Sequence, residues 1–304
     1  MKKSTKWFLA ILGILFAVAL VGILLFVSLL VRSSSESTET VTTGRGQKIA
    51  VVELKGEIKT SEDVIRQLKK YRADHAIKAI LLHIDSPGGA VVPSQEMYQE
   101  VRRTREGGTP VIVSMGSLAA SGGYYVSCGA TRIVANPGTL TGSIGVISEF
   151  LQVHDALGKL GIEVKTIKAG KLKDAGVETK QMTEEDQKYF QTLIDDVHQQ
   201  FIAVVEQERN LSHERVLGLA DGRAFTGDQA LAAGLVDTLG TFEDAVAIAA
   251  EIAGIKGEPS LVKEHRRPGW FGAMFENVDE SVKEMKDAVL HRPALSYRFV
   301  GPGE

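Results

Sequence analysis

Three short glycine-rich segments hold the residues best suited to chemistry: Asp85-Ser86-Pro87-Gly88-Gly89, Ala119-Ala120-Ser121-Gly122-Gly123 and Leu140-Thr141-Gly142-Ser143-Ile144-Gly145. Each falls where a predicted strand ends. Ser121 stands between small residues at a predicted strand-to-helix turn. Small neighbours let a substrate carbonyl approach the backbone. The N–H of Gly122 falls at a helix start, where unsatisfied donors can hold an oxyanion. The same small-residue pattern also serves tight helix packing, so the segment alone leaves both readings open.

A nucleophilic serine needs a base, and the chain offers several. His83 and Asp85 sit two apart, on one face of a strand, as a Ser-His-Asp arrangement would require. Asp85 is equally well explained as a turn residue before Pro87. His154 falls in a helical pattern that favours the surface. Cys128, seven residues past Ser121 in the same predicted helix, reads as a small apolar group. Lys168, Lys171, Lys173 and Lys180 cluster in one loop after a predicted strand. Any lysine acting as a base near neutral pH must lower its pKa from about 10.4 to near 7, at a cost of about 4 kcal/mol. One lysine of this loop would have to turn inward while the others stay in water.

The elements that must position these residues alternate between β-branched runs and amphipathic stretches. Strands are predicted at Ile49–Leu54, Ala79–Ile84, Val111–Met115, Arg132–Ala135, Ile144–Ser148 and Glu163–Lys168. Helices are predicted at Ser61–Tyr71, Ser94–Arg105, just after Ser121, and at Leu151–Leu160. This alternation predicts an α/β fold with helices covering the sheet. Thr183 with Asp186 predicts a capping box opening a long helix to about Asn210, and Ser212 and Thr241 predict further N-caps. Beyond Gly257 the character changes, with Trp270, Phe271 and Phe275 followed by an amphipathic helix at Asp279–Val289. The aromatic segment would contact a neighbouring copy, the bilayer or its own protomer.

The apolar residues are unevenly placed. Trp7 to Val31 is 25 residues without a charge, about 37 Å as a helix and enough to cross a hydrocarbon core of about 30 Å. It is too long for the apolar region of a cleaved signal, and Leu29-Leu30-Val31-Arg32 has no small-x-small site. Lys2, Lys3 and Lys6 precede the span and Arg32 alone follows it, which predicts a cytoplasmic N-terminus and an extracytoplasmic remainder. Without those four cations the remainder holds 31 basic against 38 acidic residues, which argues against a nucleic-acid partner. One cysteine excludes an intrachain disulfide. Seven scattered histidines show no metal-ligand spacing, so neither metal nor cofactor is expected.

Gly116-Ser117-Leu118-Ala119-Ala120-Ser121-Gly122-Gly123-Tyr124-Tyr125 resembles the nucleophile segment of bacterial signal peptide peptidase A, a family of the Clp protease/crotonase-like fold. Asp85-Ser86-Pro87-Gly88-Gly89, Leu140-Thr141-Gly142-Ser143-Ile144-Gly145-Val146 and Lys173-Asp174 match its other motifs in order, over roughly Ile49 to Ala253. The resemblance implies Ser121 as nucleophile, Lys173 as general base, Ser143 as the residue that orients the lysine, and the backbone N–H groups of Gly88 and Gly122 as the oxyanion hole. Where some members carry a proline-containing stretch, this chain has Ala175-Gly176-Val177-Glu178-Thr179-Lys180, and Lys171 is the reserve base. The resemblance further implies a membrane-anchored endopeptidase that degrades residual signal peptides and other apolar peptides, assembled as a homo-oligomeric ring. The expected organisation is 1–31 cytoplasmic stub and anchor, 32–47 linker, 48–256 peptidase domain and 257–304 tail. Two rivals remain: a crotonase-type acyl-CoA enzyme, which shares the fold but relies on backbone oxyanion donors with acidic side chains, and a non-catalytic membrane scaffold, which would not require Ser121, Ser143 and Lys173 together.

Overall fold

The computed structural model describes residue 22 and residues 37–267 and 295–299. Apart from Gly22, the predicted span Trp7–Val31 lies outside the described residues, as do the Trp270/Phe271/Phe275 segment and the predicted helix Asp279–Val289. Among the described residues, no helix is long and apolar enough to cross a membrane. The chain divides into two compact units, Met1–Val41 with Glu264–Arg292, and Thr42–Lys263 with Pro293–Glu304.

The strands are β1 (Ser37–Thr43), β2 (Lys48–Lys55), β3 (Ile77–Ser86), β4 (Gly88–Ala90), β5 (Val111–Ala120), β6 (Arg132–Ala135), β7 (Leu140–Gly142), β8 (Ala224–Thr226), β9 (Thr238–Leu239), β10 (Ser260–Arg267) and β11 (Ser296–Arg298). The helices, in chain order, are α1 (Glu62–Ala73), α2 (Val91–Glu106), α3 (Gly122–Cys128), α4 (His154–Lys159), α5 (Glu184–Arg209), α6 (His213–Leu217), α7 (Gly227–Ala233) and α8 (Phe242–Ile252). In the second unit a parallel sheet runs β10-β2-β3-β5-β6-β9. The sheet is buried on both faces, which explains why its strands read as continuous apolar runs. Alternate residues feed two cores. Ala50, Val52, Ile80, Leu82, Val111 and Val113 pack with side chains from α1, α2, α3 and α5, while Ile49, Val51, Ala79, Leu81 and Ile112 meet α8 through Ala245 and Ala249. Each fully buried Val, Leu or Ile contributes about 1.5–3 kcal/mol.

The caps expected from sequence are present. Thr183 and Asp186 close a capping box at α5, Thr241 and Asp244 another at α8, and Ser212 Oγ accepts from Arg215 N at α6. A fourth, Thr226 with Gln229, opens α7; its signature stood in the sequence unread. Two predicted strands are corrected. Glu163–Lys168 has no regular structure, and its residues are exposed and pair with no strand among the described residues. Ile144–Ser148 makes a single bridge, Ile147 to Ser296. The segment just before it, β7, is the one that joins the sheet, pairing with β5 and β8. The chain beyond Gly257 also returns to the sheet, Ser260–Lys263 pairing with Lys48–Val51.

Candidate active site

Ser121 follows directly on β5 and caps α3. Its N–H donates to the Gly142 carbonyl at 2.7 Å, a bond to the sheet side, while its carbonyl accepts from Tyr125 N at 2.8 Å, the first turn of the helix. One residue must turn the chain from strand to helix, and Ser121 does so at φ 53°, ψ −113°. For a non-glycine residue this conformation costs about 1–3 kcal/mol and persists only where the surroundings enforce it. The residue is 1% exposed, and its Oγ has no hydrogen-bond partner among the described residues. An unmatched buried hydroxyl on a strained turn is costly for stability and suited to a reacting group.

The wall facing Ser121 is bare backbone. Gly88, at φ 97°, has no room for a side chain, since a Cβ there would lie 2.6 Å from Gly122 N and 2.0 Å from the Tyr297 carbonyl oxygen. A Cβ on Gly122 would meet Ser94 Oγ at 2.6 Å, and one on Gly123 would meet the Ser86 carbonyl at 3.1 Å. Gly88 and Gly122, far apart in sequence, are therefore packed together beside Ser121. Gly122 N stands at the start of α3. The Gly88 N–H donates to Ser86 Oγ at 3.1 Å. Asp85 braces this turn by accepting from Leu118 N at 3.0 Å.

Register brings Ser143 to the same place. The parallel pairing of β5 and β7 sets Ala120 opposite Gly142, so Ser121 and Ser143 follow at adjacent strand ends. Ser143 is also buried, with φ 51°, and its N–H donates to the Arg223 carbonyl at 3.0 Å. Lys173 is not gathered in. It is exposed on the loop before α5, out of hydrogen-bonding contact with Ser121 Oγ. The other lysines of the loop are committed to carboxylates: Lys168 to Asp174, Lys180 to Asp174 and Asp186, and Lys171, the reserve base, to Glu185 at 2.6 Å. Among the described residues, Lys173 alone of these four makes no ion pair.

None of the other candidate bases is hydrogen-bonded to Ser121 Oγ, and His83 Nδ1 is itself buried without a hydrogen-bond partner among the described residues. His83 lies in register with Glu53 and Ser114, on the face covered by α8, and sits edge-on to Phe242 at 5.5 Å. Burial holds its pKa below the usual histidine value. His154 Nδ1 meets the Thr179 carbonyl at 3.1 Å. Cys128 is buried, and burial pushes its thiol up to about 12, which keeps it inert. Among the described residues, no three His, Cys, Asp or Glu side chains are grouped to hold a metal ion.

The sequence reading did not anticipate β11. This short strand runs antiparallel to β4, with Tyr297 opposite Gly89, and Phe299 N donates to the Pro87 carbonyl at 2.8 Å. On its other edge Ser296 exchanges two backbone bonds of 3.1 Å with Ile147. An extended segment is thus held by main chain on both sides, in the groove beside Gly88. Tyr297 is fully buried, stacked on Tyr125 at 5.1 Å and close to Phe201 at 4.8 Å, and its hydroxyl donates to the Val197 carbonyl at 3.2 Å. No local signal in Ser296-Tyr297-Arg298 specifies that partner, because the pairing is made across most of the chain.

Comparison with known proteins places the chain in a family. Residues 103–256 match the model of peptidase family S49, and residues 36–139 match that of Clp protease. The chain is 44% identical over 215 residues to a Synechocystis sp. protein bearing a provisional protease name, a match covering 70% of this chain and 77% of that protein. It is 39% identical over 220 residues to Protease 4 of Salmonella typhi, covering 69% of this chain and 35% of the relative. It is 33% identical over 282 residues to the chloroplastic serine protease SPPA of Arabidopsis thaliana, covering 85% of this chain and 42% of the relative. With half of its length matched by the family model and a Clp protease-like α/β sheet beneath the serine, the chain belongs to peptidase family S49.

Proposed function

We propose that the chain is a serine endopeptidase in which Ser121 attacks the scissile carbonyl and Lys173 is the general base. Lys173 takes the hydroxyl proton and returns it to the leaving amine, after which water releases the acyl group from Ser121. Ser143, at the neighbouring strand end, orients the lysine. The oxyanion is held by Gly122 N–H and by Gly88 N–H once the latter exchanges Ser86 Oγ for the developing charge. The observation that carries this reading is Ser121 itself: strained, buried, unpartnered at its hydroxyl and walled by two glycines. Lys173 is favoured as base because the other three lysines of its loop are neutralised by carboxylates. Its loop must close on Ser121 during the reaction, either within one chain or from a neighbouring copy.

Main chain beside Gly88 already accepts β11 as an added strand, and an extended peptide substrate would be held near Ser121 by the same kind of backbone pairing. Apolar peptides, residual signal peptides among them, suit the groove beside Gly88. The charge-free run Trp7–Val31 would anchor the chain in the cell membrane with the catalytic unit outside the cytoplasm, in a homo-oligomeric assembly. An acyl-CoA enzyme or a scaffold has no use for the strained serine.

Apolar fluorogenic peptides test the assignment. Hydrolysis lost in both Ser121→Ala and Lys173→Ala is expected, and activity regained on mixing the two variants would place the pair on two copies. Hydrolysis that survives Lys173→Ala moves the base elsewhere.

A further inference from the structure

The loop that carries Lys173 has two halves of different character. Residues 163–173 are exposed and lack regular structure. From Asp174 onward the chain is docked. Gly176, at φ 76°, packs against Phe150 and Phe190, where a Cβ would come within 2.8 and 3.0 Å. Val153 N donates to the Glu178 carbonyl at 2.9 Å. Lys173 is thus the last residue before the docked half.

At that junction four charges alternate in a ladder. Asp174, whose side chain is 12% exposed, accepts from Lys168 and, at 3.3 Å, from Lys180. Lys180 Nζ also donates to Asp186 at 2.8 Å, and the Asp186 side chain is 3% exposed. Asp186 is in turn fixed by its capping box with Thr183 in the first turn of the 26-residue helix α5. The ladder therefore runs from the residue next to Lys173 to a long rigid helix. An exposed ion pair contributes little. These two carboxylates are largely withdrawn from water, so loss of Lys180 leaves both short of a partner.

We propose that Lys180 is a positioning residue for the reaction: by bridging Asp174 and Asp186 it holds the loop so that Lys173 can present its amine to Ser121. This rests on the reading of Lys173 as base. It assigns a role to the segment Ala175–Lys180: the Asp174–Lys180–Asp186 bridge ties the base of the loop to α5, from which the exposed half carrying Lys173 closes on Ser121.

The test uses the full-length chain with Lys180→Met, Lys180→Arg and Lys173→Ala variants, an apolar fluorogenic peptide, and a fluorophosphonate probe that labels Ser121. Lys180→Met is expected to lower kcat about ten- to a hundredfold, the scale of a misplaced catalytic group. KM should hold within about twofold on the same argument, and labelling should slow by the same factor as kcat. Lys180→Arg keeps a cation between the carboxylates and is expected to recover most of the loss. Wild-type kcat and labelling in Lys180→Met overturn the proposal. So does a loss that Lys180→Arg fails to repair, or one matched by loss of folded protein in thermal melts. Activity retained in Lys173→Ala would instead overturn the base assignment beneath it.

Discussion

At the scale of single residues, the site is built by excluding side chains. Gly88 and Gly122 are needed because other atoms already occupy the places where their Cβ atoms would go, while a Cβ on Gly123 would only crowd the Ser86 carbonyl at 3.1 Å. Gly122→Ala should therefore clash with Ser94 Oγ, at 2.6 Å, and with Gly88 Cα and Gly89 N, both at 3.2 Å. Overpacking of this kind costs about 1–3 kcal/mol, readable by denaturant unfolding, and should abolish peptide hydrolysis if Gly88 and Gly122 form the oxyanion hole as proposed. Adding Ser94→Ala removes the nearest atom and should recover part of the stability but little of the activity. Cys128 makes a separate prediction. With its thiol pushed up to about 12 by burial, about one in ten thousand molecules carries a thiolate at pH 8. Iodoacetamide should leave the native chain unmodified and label it on unfolding, as mass spectrometry would show; labelling of the native chain at pH 8 would refute the burial.

At the scale of elements, the helix caps were the most local feature and the most legible. Thr183-x-x-Asp186 fixes the start of α5 through bonds spanning three residues, so no distant partner is needed to read it. Thr183→Ala should cost about 1 kcal/mol, seen as a lower thermal midpoint. Asp186 adds a pH dependence of known sign. Its hydrogen bonds to Lys180 and Thr183 hold its carboxyl at about 2, below the ordinary value of 3.8. A depressed folded-state pKa means stability present above about pH 4 and lost as pH falls toward 2. Thermal midpoints between pH 5 and pH 2.5 should drop less steeply in Asp186→Asn than in wild type. The failed strand at Glu163–Lys168 shows the opposite case: an alternating run becomes a strand only where another edge receives it.

At the scale of the molecule, two late segments pair with early strands: β10 in the large sheet and β11 in a separate two-stranded sheet. β10 covers β2, and β11 fills the groove at β4. A chain ending at Gly257 would lose both. It should expose the edge of β2 along Ile49–Val51 and bare the aromatic surface of Tyr125 and Phe201. A lower thermal midpoint and concentration-dependent aggregation are expected, measured by melts and light scattering. Unchanged melting would mean that the sheet is complete without β10. The late segments are thus part of the fold around the active site as well as its tail.

The sequence by itself determined what depends on neighbours along the chain. Strand and helix alternation, the caps, the small residues around Ser121 and the glycine turns all act within a few residues. It also pointed to Ser121, Ser143, Gly88 and Gly122 through the order of their motifs. Only the tertiary structure decided which of these meet. Register across β5 and β7 set Ser121 beside Ser143, and close backbone packing set Gly88 against Gly122. It also put His83 under α8, and ion pairing engaged every lysine of the Lys173 loop except Lys173. The seating of β11 beside Gly88 was invisible for the same reason. Main-chain pairing carries no side-chain signature, and its partner lies some two hundred residues away.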